Sequence, residues 1–208
     1  MGKADTRLIT FAISHYCEKA RWALDWHGSD YREVGWPPGI HRILAKRAGA
    51  RGSSVPILLT GDDVVEGSDA IIDWAEAGAS GAKPGLCPAD LSDEIRNTEA
   101  RLDKRAGVNV RRFIYSHVMP HQAHYVKPML FANTGFFHRM AGNLIWPACI
   151  KLIVKGYKLN AGSAAEARVV LEEEFAWLED RLAGQHHLVG NTFTRADLTA
   201  ASLLAPFA

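Results

Sequence analysis

Cysteine is scarce in this sequence: only Cys17, Cys87 and Cys149 occur among 208 residues. An odd number without C-x-x-C spacing does not form a disulfide framework, and a chain of this length buries a core without such cross-links. We therefore expect a reducing, cytoplasmic environment.

Long hydrophobic runs are also missing. The apolar stretch nearest the start, Leu8–Ile13, is far too short for a signal-peptide core or a membrane span. At 48% hydrophobic residues, the chain has enough apolar surface for one domain or two small ones. We expect a soluble globular protein without a stable membrane span.

Acidic residues are nearly absent from the middle of the chain. Between Arg101 and Lys158 there are ten Lys and Arg residues and one acid, Asp103. Such a segment is either a solvated helical surface paired with the acidic remainder or a patch that attracts anionic substrates or anionic lipid. We do not expect a nucleic acid partner.

Short apolar runs alternate with helical patterns over the first third of the chain. This alternation predicts parallel pairing through a crossover, followed by a closing hairpin. The expected order is βαβαββα, a mixed four-stranded sheet with helices on its faces. The predicted elements are strand Leu8–Ile13, helix Tyr16–His27, strand Tyr31–Gly35, helix Pro38–Ala48, strands Val55–Thr60 and Val64–Glu66, and helix Ser68–Glu76.

Small and helix-breaking residues follow, and no convincing strand comes after them. We predict an α/β domain over residues 7–77, a linker over 78–90 and an all-α domain over 91–208. Thr194-Arg195-Ala196-Asp197 has the form of a capping box at the start of the last helix. The predicted helical stretches are Leu91–Ser116, His117–Asn133, Phe136–Leu159 with a break at Trp146-Pro147, Ser163–Leu182 and one after Thr194.

Together these features resemble the soluble, cytosolic glutathione S-transferases, as a divergent, bacterial-like member with a serine-type active site. The local matches are Ser14-His15-Tyr16-Cys17, Val55-Pro56, Ser68-Asp69-Ala70-Ile71 and the Thr194 capping box. The resemblance implies a thioredoxin-like domain, an all-helical domain, a homodimer and glutathione as co-substrate. Family members continue beyond the last predicted helix, so we expect the helical domain to be truncated at Ala208.

Ser14 is the candidate catalytic residue. Lowering a thiol pKa from about 8.5 by two units requires roughly 2.7 kcal/mol, and one charge-assisted hydrogen bond contributes about 1.5–3 kcal/mol. The Ser14 hydroxyl, helped by helix N–H groups, therefore needs only to donate a hydrogen bond to the glutathione thiolate. The residue where phenol-type relatives carry Tyr is Phe11, which has no donor.

The resemblance implies that glutathione binds at the start of two helices. In the family, the proline equivalent to Pro56 is cis, which would turn the Val55 N–H and C=O toward an extended peptide. Ser68 and the free N–H groups of its helix would receive the γ-glutamyl carboxylate. The alternatives are an edge strand that begins at Pro56 and an ordinary N-cap at Ser68.

Two departures from the family pattern affect this site. Gly67 stands where relatives place Gln or Glu, so Glu66 or Asp69 would have to bind the glutathione amine. Ser54 replaces a lysine, and Arg51 is our candidate for its role toward the glycine carboxylate. His41 and Arg42 lie in the same part of the sequence.

The electrophile pocket is expected to take residues from both halves of the chain, and the candidates are Tyr16, Tyr115, His121 and Tyr125. No metal is expected, because Pro120 interrupts the only helical spacing of histidines and no carboxylate lies near them.

We therefore expect a glutathione transferase-like enzyme that activates the glutathione thiol for attack on small electrophiles. One alternative is a non-catalytic module of the same fold with a basic surface that faces a partner or a membrane. A second is a thiol–disulfide oxidoreductase acting through Cys17, although helical periodicity places this thiol in the core.

Overall fold

The computed structural model describes residues 6–79 and 81–207. Ser80, inside the predicted linker, and Ala208, at the end of the predicted helical domain, lie outside the described residues. The N-terminal elements are β1 Arg7–Thr10, α1 His15–Trp26, β2 Arg32–Gly35, α2 Ile40–Arg47, β3 Ile57–Thr60, β4 Asp63–Glu66 and α3 Ser68–Ala77.

The four strands form one mixed sheet in the order β2-β1-β3-β4. β1 is parallel to β2 and antiparallel to β3, and β3 and β4 form an antiparallel hairpin. Successive residues of β1 point to opposite faces: Leu8 packs against Leu24 of α1 and Ile71 of α3, while Ile9 packs against Ala45 of α2. The predicted mixed sheet with helices on both faces is confirmed.

β1 is shorter than predicted, because it ends at Thr10 and not at Ile13. The following residues lead into α1 through a turn in which the Ser14 N–H donates to the Phe11 carbonyl at 2.9 Å. Phe11 and Ile13 pack against a cluster of the helical region. Their apolar character reflects this contact between domains and not strand pairing.

The remainder of the described chain is helical. A cluster of fully buried side chains, including Ile95, Leu102 and Leu203, forms its core. No helix in residues 6–79 and 81–207 is both long and apolar enough to cross a membrane. The helices are α4 Ser92–Leu102, α5 Val108–Val118, α6 Ala123–Leu130, α7 Phe136–Gly156, α8 Ala161–Leu182 and α9 Arg195–Leu204, with short 3₁₀ turns at Ala89–Leu91 and Ala205–Phe207.

α4 and α5 were predicted as one helix, and a π-turn over Asp103–Gly107 joins them. Such a turn shifts the backbone pairing to i→i+5 and leaves carbonyls for other donors. A side chain at Gly107 would place its Cβ 2.5 Å from the Tyr16 hydroxyl. Glycine therefore lets the start of α1 pack directly against this turn.

Two prolines lie inside helices, and one of them is at the position where we predicted a break, Trp146-Pro147. Pro147 is within α7 and Pro128 within α6. A proline removes the hydrogen bond to the carbonyl four residues earlier. Pro147 and Asn143 are both exposed, so water can satisfy the carbonyl of Asn143.

α9 begins with the predicted capping box. The Thr194 N–H donates to the Asp197 carboxylate at 2.8 Å, and the Thr194 hydroxyl caps the first turn. The next residue, Arg195, has a fully buried side chain that ion-pairs with Glu99 of α4 at 2.8 Å and Asp73 of α3 at 2.5 Å.

The buried Lys19 of α1 extends this network. Its ammonium lies 2.8 Å from Glu99 and 2.9 Å from Asp103. Glu99 therefore joins a cation from each domain, which fixes the sheet domain against the helical domain.

Candidate functional site

Ser14 is the N-cap of α1. Its backbone is extended, and its hydroxyl oxygen accepts a hydrogen bond from the Cys17 N–H at 3.3 Å. Accepting this bond leaves the hydroxyl proton of Ser14 available to donate elsewhere. The side chain is half-buried and faces a cavity between the two domains.

This cavity has a volume of about 320 Å³. The sheet domain supplies one wall and the helical domain the other. The lining residues are Phe11, Ile13, Ser14, His15, Tyr16, His41, Ser54 and Val55 from the first domain, and Arg111, Ile114, Tyr115, Met129, Tyr157 and Pro206 from the second.

The start of α1 is held by the π-turn. His15 Nε2 donates to the Gly107 carbonyl at 3.0 Å, and the Tyr16 hydroxyl donates to the Asp103 carbonyl at 2.9 Å. Burial lowers the pKa of His15 to about 4 and raises the pKa of Tyr16 to about 12. Both side chains are therefore neutral at physiological pH and hold Ser14 in position.

The segment before β3 presents an unpaired backbone to this cavity. The Val55–Pro56 peptide bond is cis, as the resemblance implied. Within the described residues, neither the N–H nor the C=O of Val55 has a hydrogen-bond partner. The Gly67 N–H donates to the Pro56 carbonyl at 3.1 Å, which places the start of α3 beside Val55.

Ser68 is the first residue of α3 and is buried, while Asp69 is exposed. The N-cap position belongs to Gly67, which has φ of +92° and no side-chain capping bond. No hydrogen bond of the Ser68 hydroxyl is found in the described part of the chain. Ser68 is therefore not the ordinary N-cap that the alternative interpretation assigned to it.

Glu66 has a different role from the one we considered for it. Its two carboxylate oxygens accept the N–H groups of Arg51 and Gly52 at 2.6 and 2.7 Å. Glu66 thus closes the loop before β3. The exposed Arg51 does not line the cavity beside Ser14.

His41 and Arg42 lie closer to the site than Arg51. His41 lines the cavity beside Ser14, and both residues line an adjoining cavity of about 350 Å³. The His41 ring accepts the Gly39 N–H at 3.0 Å, and burial lowers its pKa to about 4. The His41 ring is therefore uncharged at neutral pH and forms part of the wall of the site.

The structure places only part of the predicted electrophile pocket at the cavity. Tyr16 and Tyr115 line it, but His121 and Tyr125 are exposed and do not. His121 lies in the exposed turn before α6, and Tyr125 lies on the solvent-facing side of α6, where it is 68% exposed. Within residues 6–79 and 81–207, no group of three or more His, Cys, Asp or Glu could hold a metal ion.

Sequence reasoning missed Arg111 and Tyr157. Both residues belong to the basic segment Arg101–Lys158, and the excess of positive charge there was the only sequence feature that pointed to an anion-binding residue. The sequence does not distinguish Arg111 from the other cations of the segment. Its guanidinium lies 4.8 Å from the centre of the Tyr157 ring and 5.8 Å from that of Tyr16.

Cys17 is not placed for thiol chemistry. Its side chain is fully buried, and burial raises the pKa of the thiol to about 11, although the Ser14 contact acts in the opposite direction. A reactive cysteine needs an accessible thiolate. Cys17 is therefore an inert core residue, which argues against the oxidoreductase alternative.

A four-stranded mixed sheet with helices on its faces, followed by a helical domain, matches the two-domain glutathione transferase fold. Two family models match the chain: "Glutathione S-transferase, N-terminal domain" over residues 8–83 and "Glutathione S-transferase, C-terminal domain" over residues 143–207. Together they match more than half of the sequence, and the chain belongs to the glutathione S-transferase family. No curated protein matches it in a sequence search.

Solved structures share the fold at low identity. The β-etherase LigF from Sphingobium sp. strain SYK-6 is 18% identical with a TM-score of 0.73, covering 96% of this chain and 82% of that one. A glutathione S-transferase from Methylobacterium radiotolerans, in complex with glutathione sulfonate, is 21% identical with a TM-score of 0.61, covering 97% and 79%. One from Methylobacillus flagellatus with bound glutathione is 14% identical with a TM-score of 0.64, covering 96% and 81%.

Proposed function

We propose that this protein is a glutathione transferase-like enzyme in which Ser14 activates the glutathione thiol for attack on a small electrophile. The observation that carries the proposal is the Ser14 hydroxyl, whose oxygen accepts the Cys17 N–H while its proton remains free beside the cavity. A hydroxyl that accepts one hydrogen bond becomes a stronger donor in the next.

Glutathione would lie along the sheet-domain wall. Its cysteinyl backbone would pair with the free N–H and C=O of Val55, next to the cis Pro56. The γ-glutamyl carboxylate would bind Ser68 and the first N–H groups of α3, where the helix dipole favours an anion. The Asp69 carboxylate would bind the γ-glutamyl amine. Gly67 and Glu66 would hold the backbone on either side of this site, at the start of α3 and in the loop before β3.

At the other end of the tripeptide, the glycine carboxylate would lie nearest Arg42 and His41, with Arg51 further along the same loop. The thiol would then point to Ser14. In the reaction, the thiolate forms a bond to an electrophilic carbon, and a leaving group departs with its electron pair or a double bond accepts the electrons. The thiol proton passes to solvent.

Glutathione titration by calorimetry tests the binding part of this proposal. We expect saturable binding that Ser68→Ala weakens about tenfold, because one charge-assisted hydrogen bond is lost. Ser92→Ala is the matched control, since Ser92 is also the first residue of a helix but lies at α4. Absence of saturable binding at millimolar glutathione would refute the proposal.

A membrane-facing surface is a second candidate function, favoured by the exposed face of α7. Phe137 and Leu144 are 81% and 84% exposed, and Phe136 and Met140 lie beside them. No acidic residue occurs between Asp103 and Glu166. An apolar stripe among cations matches an anionic lipid surface, whereas two such faces packed against each other would bring like charges together.

Vesicle sedimentation tests this second candidate. We expect binding to phosphatidylglycerol-containing vesicles, none to phosphatidylcholine alone, and loss of binding in the Phe137→Ser/Leu144→Ser variant. Val169→Ser, at an exposed apolar position of α8, is the control. Equal binding to both vesicle types, or none, would remove the candidate. The homodimer and cytoplasmic location implied by the resemblance remain part of the first proposal.

A further inference from the structure

Charge is unevenly distributed around the cavity beside Ser14. Arg111 is the one permanently charged residue among those that line it, and within the described chain no carboxylate or lysine does. His15 and His41 are neutral there, because burial lowers the pKa of each to about 4. At neutral pH, the cavity therefore carries a single positive charge.

The Arg111 guanidinium has no acidic partner within residues 6–79 and 81–207. Its contacts are the ring faces of Tyr157 and Tyr16, which attract a cation without neutralising it. The next residue along α5, Arg112, ion-pairs with Glu166 at 2.8 Å, and Arg101 pairs with Glu174 at 2.9 Å. Unlike Arg101 and Arg112, Arg111 has no ion pair in the described part of the chain, and it is the residue of this basic stretch whose charge lies at the cavity.

The location of Arg111 separates it from the proposed glutathione site. Val55 and Ser14 belong to the sheet-domain wall, whereas Arg111 stands on the helical wall together with Tyr115 and Tyr157. A guanidinium held by aromatic rings matches the planar geometry of a carboxylate. The surrounding rings match an aromatic body.

Resting on the function proposed above, we propose that Arg111 binds a carboxylate on the electrophile, so that the second substrate is an aromatic carboxylic acid. The guanidinium donates to the carboxylate oxygens, and the ring lies between the tyrosines with its reactive carbon toward Ser14. For a chloroarene, glutathione sulfur forms the C–S bond, chloride leaves with the C–Cl electron pair, and the thiol proton goes to solvent.

A matched pair of electrophiles isolates the charge. The probes are 4-chloro-3,5-dinitrobenzoate and its methyl ester, with each rate divided by the uncatalysed rate with glutathione. We expect the enzyme to prefer the acid, and Arg111→Gln to lower the acid-to-ester ratio of kcat/KM about tenfold or more. Arg112→Gln should leave the ratio unchanged, and Arg111→Lys should retain part of the preference because the charge remains.

Binding measurements distinguish failure of this inference from failure of the proposed function. Glutathione and 3,5-dinitrobenzoate, which has no leaving group, are titrated separately into both variants. Arg111-dependent binding of the benzoate supports the inference even if no conjugation occurs. Glutathione binding and conjugation with an unchanged acid-to-ester ratio in Arg111→Gln would overturn it while leaving the proposed function intact. Weaker glutathione binding in Arg111→Gln without a change in the ratio would overturn it as well.

Discussion

In the proposed function, the Ser14 hydroxyl has both a structural and a chemical role. Its oxygen caps α1 through the Cys17 N–H, and the side chain lines the cavity, where the hydroxyl proton can be donated to a ligand. The two roles do not compete, because one uses a lone pair and the other uses the hydrogen. A single substitution therefore affects stability and reactivity to different extents, and this difference can be measured.

Ser14→Ala should raise the pKa of the bound glutathione thiol toward about 8.5, because the donor to the thiolate is lost. We expect kcat/KM near neutral pH to fall by about 10- to 100-fold, with the pH–rate profile displaced to higher pH. The lost cap should reduce the free energy of unfolding by about 1 kcal/mol. Ser14→Thr keeps both roles and should retain most of the activity. A profile unchanged in Ser14→Ala would contradict the assignment.

Cys17 should resist alkylation in the folded protein. Its thiol is fully buried and its pKa is raised to about 11, so little thiolate exists at pH 7.5. Iodoacetamide labelling followed by peptide mass spectrometry should modify the partly exposed Cys87 first and Cys17 only after denaturation. Rapid labelling of native Cys17 would revive the oxidoreductase alternative.

At the scale of elements, the π-turn between α4 and α5 positions the N-terminal end of α1, which Ser14 caps. Two of its carbonyls, at Asp103 and Gly107, accept hydrogen bonds from Tyr16 and His15. The continuous helical pattern over Leu91–Ser116 predicted the helices but not the π-turn, because one turn of i→i+5 pairing does not visibly change the spacing of apolar residues. The π-turn is stabilised by its contacts with α1, which the local pattern does not contain.

His15 should make the protein sensitive to acid. Its folded pKa of about 4 lies below the unfolded value of 6.5, mainly because burial disfavours the charged ring. The unfolded state therefore binds more protons between these values, and stability falls as pH drops through this window. Between pH 7 and pH 5, this group should remove about 2 kcal/mol from the free energy of unfolding.

His15→Asn offers a comparison, since the amide can still donate to the Gly107 carbonyl but does not titrate. Urea unfolding at pH 7 and pH 5 should show a smaller loss of stability in the variant than in the parent. An equal loss in both proteins would show that other groups, such as His41, account for the acid sensitivity.

At the scale of the whole molecule, buried charges join the two domains. Glu99 of α4 contacts Lys19 of α1 and Arg195 of α9, and Arg195 continues to Asp73 of α3. Buried ion pairs contribute little net stability when complete, but loss of one partner leaves an uncompensated charge. This network therefore fixes how the cavity walls are placed relative to each other.

Arg195→Ala should reduce the free energy of unfolding by about 3–5 kcal/mol, because Glu99 and Asp73 lose their buried partner. Chemical denaturation followed by circular dichroism measures the change. Arg168→Ala is the control: Arg168 pairs with Glu172 on the exposed surface of α8, where such pairs have little effect. Similar stability of both variants would show that the buried network is dispensable.

The accurate predictions concern features that depend on residues close together in the sequence. Ser14 follows a strand and precedes a helix, so its place at an N-terminus could be read directly. The same holds for Ser68 and for the Thr194 capping box. The predicted C-terminal end of β1 was wrong because Phe11 and Ile13 pack against the helical domain and do not continue the strand. An apolar pattern in the sequence does not show which part of the protein buries a side chain.

The sequence by itself determined the order of strands and helices, the mixed sheet, the helical second half, the start of a helix next to Ser14 and the capping box of α9, because these depend on local periodicity and on side chains that satisfy nearby backbone groups. Only the tertiary structure decided that Arg111 and Tyr157 meet Ser14 across a cavity, that His121 and Tyr125 turn away from it, and that Glu66 closes a loop. These outcomes depend on contacts between residues distant in sequence, whose geometry arises when the domains pack together.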